Sequence, residues 1–204
     1  MELIGPASVD EMIRLFIEAE ITSERFGSRL KAIISRLEAE TGIPFNPDSM
    51  DKESCLLRRR ALSEHRGYGA GKDVFEGFPE KVSWFWAYLT SEELKSIKYI
   101  NYSYWVELTG GTRYARDAVK TILDDKRIFG VPNDGFLKTA EAVRNGAVFK
   151  PLILVATCEN PDERIILEGH LRLTAYMLAI DCIDKVKVMI GYAPYGKLLG
   201  WGLY

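Results

Sequence analysis

Chemistry-bearing residue types crowd together most densely in RIILEGHLRLTAYMLA, Arg164 to Ala179. The opening apolar residues read as a buried strand and the last ten as a helix, with Glu168, Gly169, His170 and Arg172 at the change of pattern. A strand that turns on glycine into a helix leaves the first N–H groups of that helix without partners. The helix dipole adds about half a positive charge at the same point, and a residue without a side chain lets an anion approach closely. Arg172, in the first turn, carries a guanidinium fork that suits phosphate oxygens. His170, one of only two histidines, could hold the same anion or move a proton. Glu168 repels an anion, so its chemistry lies with a ribose hydroxyl, a metal ion, a substrate proton, or the orientation of His170 or Arg172. A plainer reading stands beside this one. Glu168 and Arg172 are four apart at a helix start, and an exposed pair of that kind contributes about 0.3–0.5 kcal/mol.

Two other glycine-rich stretches invite comparison. TGGTRYARDAVKTILDD places Gly110 and Gly111 before a candidate N-cap, Thr112, with Arg113 expected in the first turn of a helix. That is a second candidate anion site, or an ordinary capped helix. HRGYGAGKD, His65 to Asp73, ends in lysine like a phosphate loop but lacks its spacing: Arg66 stands where the first glycine is required, and Asp73 follows Lys72. It reads as a surface loop.

The elements that must position these residues follow from pattern. Ser8 and Glu11 form a capping box ahead of Met12, Leu15, Phe16 and Ala19 on one helical face. A second helix is expected over about 23–40, with Gly42 as its stop, and a third around Cys55 to Arg60. VSWFWAYL and KYINYSYWVEL form an aromatic middle, expected to be a packed seam more than a base-stacking platform. From about Lys126 the pattern becomes α/β: KRIFGV as a short strand, a helix capped by Asn133 or Asp134, then KPLILVATC and RIILEG as strands. The helix from His170 follows, and DKVKVMIGY is a half-buried final strand. The expected fold is α+β, a mostly helical region over 1–125 followed by a small mixed-sheet module over 126–204.

The 204 residues carry a net charge of −2, which gives no global field to attract nucleic acid. Three cysteines, an odd number without metal-ligand spacing, fit reduced thiols. The N-terminal segment lacks the pattern of a signal peptide, and no apolar run approaches the ~20 residues of a membrane span. The expectation is a cytoplasmic protein.

The order of elements from about Arg127 to Tyr192 resembles the ParB/sulfiredoxin-like superfamily. There the strand–Gly-x-x-Arg–helix turn binds nucleotide phosphates, and reads GCHR in sulfiredoxins, GERR in ParB partition proteins and DGHHR in ParB-like free serine kinases. Gly169 and Arg172 match all three, and Glu168 with His170 is most similar to the kinase form. Lys138 lies where sulfiredoxins carry a nucleotide-contacting lysine. His170 occupies the position of the sulfiredoxin nucleophile, so sulfinic acid reduction is not expected, and Leu171 replaces the second kinase histidine. The resemblance implies ATP or CTP bound with Mg²⁺. Phosphates would sit on Gly169, His170 and Arg172, with Lys138 and Arg113 as further contacts, and Glu168, His170 or Asp134 would carry acid–base chemistry. The leading expectation is a phosphotransferase or nucleotide hydrolase acting on a small molecule. The alternative is a nucleotide-gated module binding DNA or a protein partner through the aromatic middle and Arg58 to Arg60; DNA is the less favoured partner.

Overall fold

The computed structural model describes residues 1–204. Its class is α+β. Strand β1 (Glu2–Ala7) leads into α1 (Val9–Glu20), α2 (Gly27–Thr41) and α3 (Lys52–Arg66). Strand β2 (Ser83–Thr90) follows, then the short helices α4 (Ser91–Leu94), α5 (Ser103–Leu108) and α6 (Ala118–Leu123), and α7 (Asp134–Arg144). The chain closes with β3 (Leu152–Thr157), β4 (Ile165–Glu168), α8 (His170–Leu178), β5 (Lys185–Ala193) and α9 (Tyr195–Leu198). No helix is long and apolar enough to cross a membrane.

The five strands form one sheet in the order β1-β2-β5-β3-β4; β3 and β5 are parallel and every other neighbouring pair is antiparallel. Helices cover both faces. Every residue of β3 is buried, and its side chains divide by parity, as a pleated strand requires. Leu152 and Leu154 join the core beneath α6, α7 and α8, whereas Ile153 and Val155 join the core beneath α1, α2 and α3. The continuous apolar run of KPLILVATC is thus explained by a strand covered on both sides.

The helix signals hold. Ser8 and Glu11 form a reciprocal capping box on α1, Thr90 and Glu93 form another on α4, and Gly42 ends α2 in the left-handed conformation. Asn133 occupies the N-cap of α7 without a side-chain capping bond.

Three expectations are corrected. The sheet does not begin after residue 125, because β1 and β2 both belong to it. VSWFWAYL supplies β2, which runs against the whole of β5. KRIFGV is not a strand: Ile128–Gly130 is a single 3-10 turn with Phe129 at positive φ. The last strand is half-buried only at its start, because β5 lies between β2 and β3. The aromatics of the middle are mostly half-buried; Trp84 and Tyr99 are fully buried, and Tyr102 is the one left largely in solvent.

Candidate functional site

The turn after β4 is built around Gly169, at φ 104°. A side chain there would be strained twice over. The conformation is one that L-residues avoid, and a Cβ would lie 2.7 Å from Leu152 Cδ2 and 3.0 Å from Arg172 Nη2. Gly169 is the N-cap of α8; its carbonyl accepts from Leu173 N–H at 2.8 Å, and no side chain caps the helix. The amides of His170, Leu171 and Arg172 therefore have no acceptor in the protein, and the charge nearest the positive end of the dipole is the Glu168 carboxylate, which accepts from the Gly169 N–H.

Arg172 does not point out to receive a ligand. One nitrogen, Nη1, donates to the Lys150 carbonyl at 2.6 Å and the Pro151 carbonyl at 3.1 Å, and Nη2 closes an ion pair with Glu168. The guanidinium braces the approach to β3 against α8, and both partners of the pair are largely buried. The expectation that Arg172 serves as a free phosphate fork is corrected on this geometry, because most of its donors are already engaged. Burial raises the Glu168 carboxyl above the usual carboxylate range, and the positive charge of Arg172 only partly offsets it.

His170 stacks on Trp105 with ring centroids 5.0 Å apart, and Trp105 stacks on Tyr99 at 4.5 Å. The Tyr99 hydroxyl is 2.6 Å from Thr174 Oγ1, which itself donates to the His170 carbonyl at 2.8 Å. The imidazole Nε2 is buried without a hydrogen-bond partner. Burial pushes His170 down to about 3; Arg66 and Arg172 act in the same sense and Glu20 opposes them. Near neutral pH the ring is uncharged. A ring held neutral and stacked in this way does not carry a proton as imidazolium, which revises the shuttle role that its type alone suggests.

Three residues of the N-terminal helices form a charged cluster whose field reaches this turn. Glu20 ends α1, and His65 and Arg66 end α3. Arg66 Nε lies 3.0 and 2.9 Å from the two Glu20 oxygens, and His65 Nε2 bonds the same carboxylate. The guanidinium of Arg66 lies 3.7 Å above the Phe26 ring centroid. Burial alone would raise Glu20, but the bonds from His65 and Arg66 overcome it and hold the carboxylate below its ordinary range. The charge of Glu20 acts on both Glu168 and His170, and that of Arg66 on His170. Both histidines, two glutamates and two arginines thus form one electrostatic unit. Its glutamates are shifted in opposite directions, the arrangement that separates an acid–base group from a permanently ionised one.

Asp134 and Lys138 line an open groove of about 920 Å³ together with Glu24 of the α1–α2 loop. The groove abuts the first turn of α8, since a Cβ on Gly135 would lie 3.7 Å from Leu171 Cδ1. None of Glu24, Asp134 and Lys138 has an ion-pair partner within the described chain. No cluster of three or more His, Cys, Asp or Glu side chains gathers into a metal cage. A Mg²⁺ ion carried by nucleotide phosphates needs only one or two carboxylates, and Glu24, Asp134 and Glu141 are the carboxylates that line the groove.

Arg113 belongs elsewhere. It precedes the helical segment that starts at Ala115, sits at φ 64°, and donates to the carbonyls of Tyr99 at 3.0 Å and Tyr204 at 2.9 Å. The expected first-turn position is corrected: Arg113 fastens the C-terminal residues to the segment before α5. Sequence reading missed Glu20, His65 and Arg66, which lie far from Glu168 along the chain. The usable signal was that each of the only two histidines stands at a helix end with an arginine within two positions.

No protein-family model, no curated protein and no solved structure matches this chain.

Proposed function

We propose that the protein is a cytoplasmic nucleotide-dependent enzyme, a phosphotransferase or nucleotide hydrolase, whose site is the N-terminus of α8. The observation that carries this reading is a helix N-terminus with unpartnered amides, flanked by Glu168 and His170 and acted on by the charges of Glu20 and Arg66. The amides of His170, Leu171 and Arg172 would receive the terminal phosphate, and Lys138 would reach it from the adjoining groove. Mg²⁺ would accompany the nucleotide beside Asp134 and Glu24, neutralising phosphate charge. Glu168 would take the proton of the attacking water or hydroxyl as its oxygen bonds to phosphorus and the nucleoside diphosphate leaves. Its raised proton affinity brings it closer to the range a general base needs. Arg172 keeps that carboxylate in place, and His170, stacked on Trp105, holds the first turn of α8. The likeness of Glu168–Arg172 to the ParB/sulfiredoxin-like turn supports the same assignment.

The test is incubation of pure protein with ATP or CTP and Mg²⁺, with and without candidate small-molecule acceptors, while released or transferred phosphate is measured. Turnover that disappears in Glu168→Gln supports the reading. Nucleotide binding without turnover in any condition shifts it to a nucleotide-gated binding module, and absence of both removes it.

A further inference from the structure

A second cavity, of about 530 Å³, lies at the other end of the sheet. Cys158 and Pro194 line it, and each is the first residue beyond a parallel strand, β3 and β5 respectively. Open sheets collect ligands at the carboxyl ends of such strands, and the volume falls in the range of small-molecule sites. Its wall is Trp84, 4% exposed, with Tyr68, Phe78 and Val82 beside it. Gly191 makes room for that wall: a Cβ there would lie 2.7 Å from Trp84 Cζ3.

Two of the residues that line this cavity carry donors left over. Trp86 and Trp201 give their indole N–H groups to Glu11 and to the Val74 carbonyl, but the Trp84 N–H has no acceptor and is not sealed into the core. Arg59 donates from Nε to Asp10 at 2.8 Å, which fixes the guanidinium while its two terminal nitrogens keep no partner. Lys81 and Glu80, consecutive in the chain and of opposite charge, also line the cavity, and the Arg59 fork, with Asp10 on its Nε side, is its guanidinium. An apolar slot with one indole N–H and a pre-oriented fork matches a flat apolar body bearing a carboxylate.

We propose that this cavity binds a small aromatic monocarboxylate, with the ring against Trp84 and the carboxylate on Arg59. The site is separate from the α8 turn and stands whether or not a nucleotide binds there.

The test is a titration of ¹⁵N-labelled protein with phenylacetate, with neutral phenylacetamide as the control. The expected result is saturable movement of the Trp84 indole N–H and the Ser83 and Cys158 amides, with the amide analogue at least about tenfold weaker. Arg59→Gln should weaken phenylacetate by a similar factor. Trp84→Phe, which keeps the ring and removes the donor, should weaken it less. The spectra themselves report whether each variant is folded, and Arg59→Lys, which keeps the charge without the fork, serves if Arg59→Gln is not. Signals that stay fixed at millimolar phenylacetate, equal binding of acid and amide, or unchanged affinity in the Arg59 variant would each overturn the proposal.

Discussion

Glu168 and Arg172 close an ion pair one helical turn apart across the Gly169 bend, and the same guanidinium holds the Lys150 and Pro151 carbonyls. A pair at this spacing on an exposed helix contributes a few tenths of a kcal/mol. Here both side chains are largely buried, so removing one partner leaves a buried charge uncompensated, which costs about 3–5 kcal/mol.

Arg172→Ala should therefore destabilise the fold by about 3–5 kcal/mol in urea denaturation, whereas a solvated first-turn arginine would lose almost nothing. Arg172→Lys, a point charge without a fork, should recover part of the loss. A shift below about 0.5 kcal/mol for Arg172→Ala would restore the view of Arg172 as a free ligand-binding group.

Gly169→Ala combines a positive φ with a Cβ 2.7 Å from Leu152 Cδ2. The backbone strain alone costs about 1–2 kcal/mol, and the contact adds to it. Denaturation midpoints should fall accordingly, with the larger effect for Gly169→Val.

The pH dependence of stability carries a sign that His170 sets. Its folded value, about 3, lies below the ordinary 6.5, so on acidification the unfolded chain takes up a proton that the native state refuses. Stability should fall as the pH drops below 6.5, by up to about 1.4 kcal/mol per pH unit from this group. Glu168 acts in the opposite sense: its folded value is raised above 4.5, so protonation favours the native state as pH falls through that range. Glu20, held below 4.5, contributes stability that is lost only under stronger acid. Between pH 6.5 and 4.5, His170→Gln should flatten the loss and Glu168→Gln should steepen it. Denaturation at a series of pH values reads both slopes.

Arg113→Ala separates the two glycine-rich turns. Its contacts are the Tyr99 and Tyr204 carbonyls, so the variant should lose stability while nucleotide affinity, measured by calorimetry on the folded fraction, stays unchanged. A large affinity loss would place Arg113 in the phosphate site after all.

Much of the fold was legible where local pattern and tertiary context agree. Both capping boxes, the Gly42 stop, β3, and the β4–Gly169–α8 turn stand where composition and period put them. β1 was hidden because ELIGPA carries glycine and proline and is an edge strand with a bulge between Leu3 and Gly5. β2 was hidden because its apolar side chains face both cores, Trp84 and Trp86 one and Ala87 and Leu89 the other, which erases the alternation that marks a half-buried strand. Of the candidate site, Glu168 to Arg172 could be read as a unit because those residues are contiguous. Glu20, His65 and Arg66 could not, because only the packing of α1 against α3 joins them into one charged cluster, far along the chain from Glu168. The engagement of Arg172 was invisible for a related reason, since its carbonyl partners belong to the approach to another strand.

The most direct measurement follows the backbone amides of His170, Leu171 and Arg172 by ¹H–¹⁵N correlation as ATP or CTP with Mg²⁺ is added. Amides that donate to a phosphate at the α8 N-terminus should move downfield together and saturate at one nucleotide per chain, and Glu168→Gln should leave that response intact or strengthen it by removing a repelling charge. Amides that stay fixed at millimolar nucleotide, while the protein remains folded, would contradict the phosphate site and leave the turn as a structural brace.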